Sequence, residues 1–162
     1  MSEEKKESLK EKHLQFAKST NNRVWELLEK NRRSPAEDQE MILSAFASLY
    51  HWMNAGTAVN TQRAYWMLSR VYQVLNKSED ALDWALKCQV ITERYTDEME
   101  DFDLAFAQEG LARAYALSGD HKRAKRHYDQ AVSFGELIQD PEDKLTFEKD
   151  LQDGNWFKLS PE

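Results

Sequence analysis

Residues 65–88 read YWMLSRVYQVLNKSEDALDWALKC, and residues 108–131 read QEGLARAYALSGDHKRAKRHYDQA. At a shift of 43 residues Leu68 meets Leu111, Ser69 meets Ala112, Tyr72 meets Tyr115, Ala81 meets Ala124 and Cys88 meets Ala131. In both copies a leucine and a tyrosine stand four apart, which puts them on one face of a helix. Small residues recur where a second helix has to come close. A unit repeated in this way is one helical hairpin stacked on the next, because a lone hairpin cannot bury its apolar face.

Turn and capping signals extend the pattern in both directions. Asn76-Lys77-Ser78 is a tight connection, with Ser78 capping a helix through about residue 95. Gly119 suits a left-handed helix end, and Asp120 caps the next helix, to about residue 138. Asp140-Pro141 starts a short last helix that Gly154-Asn155 ends. Upstream, residues 57–60 form a loop, with Asn60 as the N-cap of a helix over 61–76. The acidic stretch 97–103 favours the start of a helix running to Ser118. Ser34-Pro35-Ala36-Glu37 carries a capping box and a proline at the first helical position, which predicts a helix over 35–54. The second half of that helix is apolar nearly all round, an expectation of neighbours on several sides. Residues 5–31 repeat apolar positions at three-four spacing, with Asn21-Asn22 as a candidate bend.

Leu, small residue and Tyr on a first helix, followed by Ala, aromatic and Ala on a second, resembles the tetratricopeptide repeat. Leu111, Ala112, Tyr115, Gly119, Ala124, Tyr128 and Ala131 carry the match in one copy. Tyr65, Leu68, Ser69, Tyr72, Ala81 and Cys88 carry it in the other, with Ala85 where the aromatic residue belongs. The family period is about 34 residues, so extra turns are expected around 91–104. Glu93 and Glu136 stand in place of its closing proline. The resemblance implies an all-α superhelix of about seven antiparallel helices in one domain, 1–162. It divides into a divergent N-terminal hairpin (8–54), repeats at 60–95 and 100–138, a capping helix (140–153) and a tail (154–162). It also implies a concave ligand-binding face, lined here by Arg63, Trp66, Arg70, Gln73, Val74, Phe106, Glu109, Arg113 and Leu117.

Composition restricts the function classes. Five glycines and three prolines in 162 residues are too few for the turns of an all-β fold. A formal charge of −7 repels phosphate backbones and anionic lipid, so neither nucleic acid nor membrane is expected as a partner. The basic cluster between His121 and His127 spreads around its helix and is flanked by Asp120 and Asp129, as a solvated face would be. The single cysteine, Cys88, suits a reducing compartment. With neither an apolar leader nor an apolar run of membrane-spanning length, a cytoplasmic location is expected. His13, His51, His121 and His127 lack metal-ligand spacing, and no cofactor motif or nucleophile arrangement is present, so no metal, cofactor or catalysis is expected.

Arg63, Trp66 and Arg70 fall at i, i+3 and i+7 on one helix face, and Arg70 is the repeat equivalent of Arg113. A stripe of arginines on an acidic protein suits a partner with acidic groups. The alternative is structural pairing: Arg113 with Glu109 at i, i+4, and Arg70 with a carboxylate of the 97–103 stretch. His51, with Ser44, Ser48 and Asn60, forms either a small polar pocket or an ordinary core contact. Taken together, the residues point to a non-catalytic scaffold or adaptor that binds a protein or peptide partner. Two other readings stay open: a self-assembling structural protein joined into a homo-oligomer through the Trp156-Phe157 tail, and a small-molecule sensor or enzyme using the region of His51, Asn60 and Trp66.

Overall fold

The computed structural model describes residues 3–159; the first two residues of the chain and the last three of the predicted tail lie outside them. The described residues form seven α-helices: α1 (Glu3–Leu28), α2 (Pro35–Ala55), α3 (Ala58–Val74), α4 (Ser78–Arg94), α5 (Asp101–Leu117), α6 (His121–Glu136) and α7 (Pro141–Gln152). The extra length between the repeats is taken up by α4 and by a 3-10 turn, Thr96–Glu98.

Local chemistry explains most boundaries. Ser34 accepts the Glu37 N–H at 3.2 Å while the Glu37 carboxylate accepts the Ser34 N–H at 2.9 Å, closing the box that starts α2. Asp140 accepts the N–H groups of Glu142 and Asp143 at the start of α7. Three expectations are corrected. Thr57 rather than Asn60 is the N-cap of α3, and the Asn60 carboxamide oxygen accepts the Thr57 N–H at 3.0 Å from within the first turn. Ser78 is the first residue of α4 rather than its cap, with Glu79 and Asp80 favouring that end of the helix dipole. Asn21-Asn22 does not interrupt α1, because burial of Ala17, Val24 and Leu27 outweighs the weak helix propensity of asparagine.

The two repeat copies end their first helices in the same way. The Lys77 N–H bonds the Tyr72 carbonyl at 2.9 Å, and the Asp120 N–H bonds the Tyr115 carbonyl at 3.0 Å. The residue between, Asn76 in one copy and Gly119 in the other, takes a left-handed φ of 56° and 84°. This is the Schellman arrangement, and it fixes the direction in which the second helix returns.

Packing follows chain order. α1 pairs with α2, α3 with α4 and α5 with α6; each second helix also meets the next first helix, and α3, α5 and α7 pack in series. Leu68, Ser69, Ala81, Ala85, Cys88, Leu111, Ala112, Ala124 and Ala131 are all buried. Gly135 gives α7 its seat: a Cβ there would lie 2.4 Å from the buried ring of Phe147.

The described part of the tail, 154–159, folds back on the chain. Trp156 meets Tyr128 edge-on, with centroids 5.0 Å apart, and Leu159 is buried. One expectation fails in α2, where Leu43, Tyr50 and Met53 are 61%, 60% and 63% exposed. Among the described residues α2 packs chiefly on α1 and α3, which leaves that face uncovered. No helix among the described residues is long and apolar enough to cross a membrane.

Candidate binding site in the inner groove

The first helix of each hairpin, together with α7, contributes to one cavity of about 600 Å³. Asn21 and Trp25 come from α1 and Glu29 from the turn just past it, and Gln62, Arg63, Trp66 and Met67 come from α3. Phe102, Asp103 and Phe106 come from α5, and Thr146, Lys149, Asp150 and Asp153 from α7 and its end. A volume of this size lies within the range that holds a small-molecule ligand or a few side chains.

Aromatic rings make its floor. Trp25 and Trp66 lie with centroids 6.0 Å apart, Trp66 meets Phe106 edge-on at 5.4 Å, and Phe106 meets Phe147 edge-on at 5.0 Å. Arginines occupy some of the ring faces. Arg63 lies 4.8 Å from the Phe102 centroid and Arg70 lies 5.0 Å from that of Trp66.

The predicted arginine stripe is neutralised within the chain. Arg63 forks onto Asp103 with bonds of 2.8 and 3.0 Å. Arg70 donates to Glu109 at 2.9 Å and to Asp150 at 2.7 Å. Arg113 pairs with Glu109 through Nε, and donates to the carbonyls of Asp150, Asp153 and Asn155 at 2.7, 2.9 and 3.2 Å. Its guanidinium also lies 4.1 Å from the Trp156 centroid. Glu109 is fully buried and accepts the Trp66 indole N–H at 3.1 Å. Arg113 therefore does pair with Glu109, whereas the carboxylate of the 97–103 stretch goes to Arg63 and not to Arg70.

Burial alone would push the Glu109 carboxyl up, but Arg70 and Arg113 overrule it and hold the group below the usual range. Asp150 shifts the other way, because burial and the nearby charge of Glu109 both penalise its ionised form. Arg70 and Arg113 thus answer Glu109 and Asp150, and the cluster is balanced within itself.

Of the residues marked in the sequence, Arg63, Trp66 and Phe106 line the groove. Arg70, Glu109 and Arg113 lie behind it as an ion-pair cluster that docks α7. Gln73 is buried away from it, donating to Ser69 and to the Gly110 carbonyl. The structure does not bring His51 and Asn60 together. His51 meets His13 of α1, Nδ1 to Nδ1 at 2.8 Å, while Asn60 is held in the turn before α3. Burial and the neighbouring His13 hold His51 below its ordinary pKa. Ser48 is engaged elsewhere, donating to the Ala17 carbonyl at 3.0 Å.

Sequence reasoning missed the walls supplied by α1 and α7. The signal was present as spacing: Asn21, Trp25 and Glu29 stand at i, i+4 and i+8, and Thr146, Lys149, Asp150 and Asp153 at i, i+3, i+4 and i+7. The repeat reaches neither helix, so nothing marked those faces as facing α3 and α5.

Compared with models of protein families, with curated proteins and with solved structures, the chain matches none. The reading of the groove rests on its own geometry.

Proposed function

We propose that the chain is a non-catalytic binding scaffold of the tetratricopeptide-repeat kind, whose inner groove takes a segment of a partner protein. Support for the repeat comes from the 43-residue equivalence of helix ends, buried small residues and packing order. The observation that carries the function is the groove: four helices turn aromatic and polar side chains into one open cavity of about 600 Å³. Hydrophobic anchors within a polar rim are what recognition of a protein segment requires.

The chemistry of the groove favours holding over reacting. Arg63, Asp103 and Asp150 are fixed in ion pairs. Burial pushes the Cys88 thiol up to about 12, so it stays protonated at neutral pH.

A photo-crosslinking side chain placed at Thr146, on the groove, should capture a discrete protein partner in the native host. The same group at Val90, on the exposed face of α4, should not. Equal capture from both positions, or none from Thr146, would overturn the proposal.

A further inference from the structure

Building on the groove reading, we infer that the guest is a basic protein segment, a lysine or arginine of which lies on Trp25 between the carboxylates of Glu29 and Asp153. This reverses the sign expected from the arginine pattern. Among the residues lining the cavity are four carboxylates, Glu29, Asp103, Asp150 and Asp153, and two cations, Arg63 and Lys149. Arg63 is committed to Asp103. Arg70 meets Asp150, and Arg113 meets the buried Glu109 behind it, so that cluster is balanced within itself. Of the lining charges that leaves Lys149 set against Glu29 and Asp153, and the balance around the cavity is acidic.

The rings indicate where the missing cation sits. Two of the groove aromatics, Phe102 and Trp66, each carry an arginine of the chain itself. Trp25 carries none among the described residues, and it is 41% exposed. Glu29 follows just past the end of α1, its N–H on the Trp25 carbonyl at 3.0 Å, and Asp153 lines the cavity from the end of α7. A guest cation there completes an arrangement that the groove already uses twice, a positive group over a ring beside a carboxylate. Asn21 and Thr146 border the same space with polar groups able to meet the backbone of the guest.

A test is selection of displayed random peptides on the full-length chain, followed by affinity measurement of the enriched peptides. Enriched sequences are expected to carry an excess of lysine or arginine next to an apolar residue. Glu29→Lys together with Asp153→Lys should weaken them at least tenfold, and Trp25→Ala should weaken them similarly. Lys149→Ala should tighten them several-fold, a gain that general loss of structure would not produce. Raising the salt from low to high should weaken binding to the wild type, since the site is open to screening. Enriched peptides that are acidic or neutral, yet lose affinity in Trp25→Ala, would overturn this inference and leave the groove reading standing. Peptides indifferent to every groove substitution would overturn both.

Discussion

Replacing Arg113 by methionine tests whether the buried ion pairs hold α7 against the stack. The side chain is 2% exposed and its partner Glu109 is fully buried. Methionine keeps much of the apolar stem but removes the charge and every donor. Three carbonyls at the end of α7 lose their partner, and Glu109 keeps only Arg70 and Trp66. Taking one member from a buried pair costs about 3–5 kcal/mol, because the other charge is left under-compensated in a dry site. For a chain of this length that corresponds to a fall in Tm of about 6–20 °C.

Urea titration followed by circular dichroism measures the loss, and hydrogen exchange locates it, with faster exchange expected first in 141–152. Arg23→Met is the control, since its pairs with Glu26 and Glu40 are open to water and should matter little. Replacing Glu109 and Arg113 together by leucine should cost less than the sum of the single changes, because no charge is stranded. The reasoning fails if Arg113→Met is as mild as Arg23→Met, or if exchange in α7 stays at the wild-type rate.

Two further outcomes follow from named positions. Gly119→Ala should destabilise by about 1 kcal/mol, read from the urea midpoint: a Cβ there meets nothing within 4 Å, so the left-handed φ of 84° is the whole cost. Asn76→Gly, at the equivalent position with φ 56°, should change stability in the opposite direction or not at all. His51 and His127 are both held below the ordinary value of 6.5, first by burial and then by His13 and Arg126 respectively. The unfolded chain therefore binds more protons, so their contribution is full above that value and is lost as pH falls through the folded pKa values. Thermal melts between pH 7.5 and 5.5 should show a decline that His51→Phe with His127→Phe makes shallower; an unchanged decline would exclude these two side chains as its source.

The hairpins were legible because their signals are local. Caps at Ser34 and Asp140, the left-handed Gly119 and the small residues facing one another act within a few positions or within one repeat. Helix starts went astray at Asn60 and Ser78: Asn60 is the third residue of a capping box that begins at Thr57, and α4 starts after Lys77 with no side-chain cap. The exposed stripe of α2 misled for a different reason: an apolar helix face states a need for cover, not whether the chain supplies it. The contact of His13 with His51 is set by the crossing of α1 over α2, which no spacing along the sequence encodes.

The arginines show why site chemistry was harder to read than architecture. Arg70 and Arg113, equivalent in the repeat, both reach the one carboxylate of Glu109. Their meaning changes once α7 arrives, bringing Asp150 and a helix end whose carbonyls need donors. Glu109, at the repeat position occupied by Trp66 in the other copy, puts a carboxylate between the two arginines. The cluster that results is close to neutral, and it turns the seventh helix from a cover over one hairpin into the fourth wall of the groove. The side chains that dock α7 are thereby withdrawn from ligand binding, and those that α7 brings, Lys149, Asp150 and Asp153, take over the setting of its charge. A cationic groove and a firmly docked α7 thus draw on the same arginines, and this chain has committed them to the second.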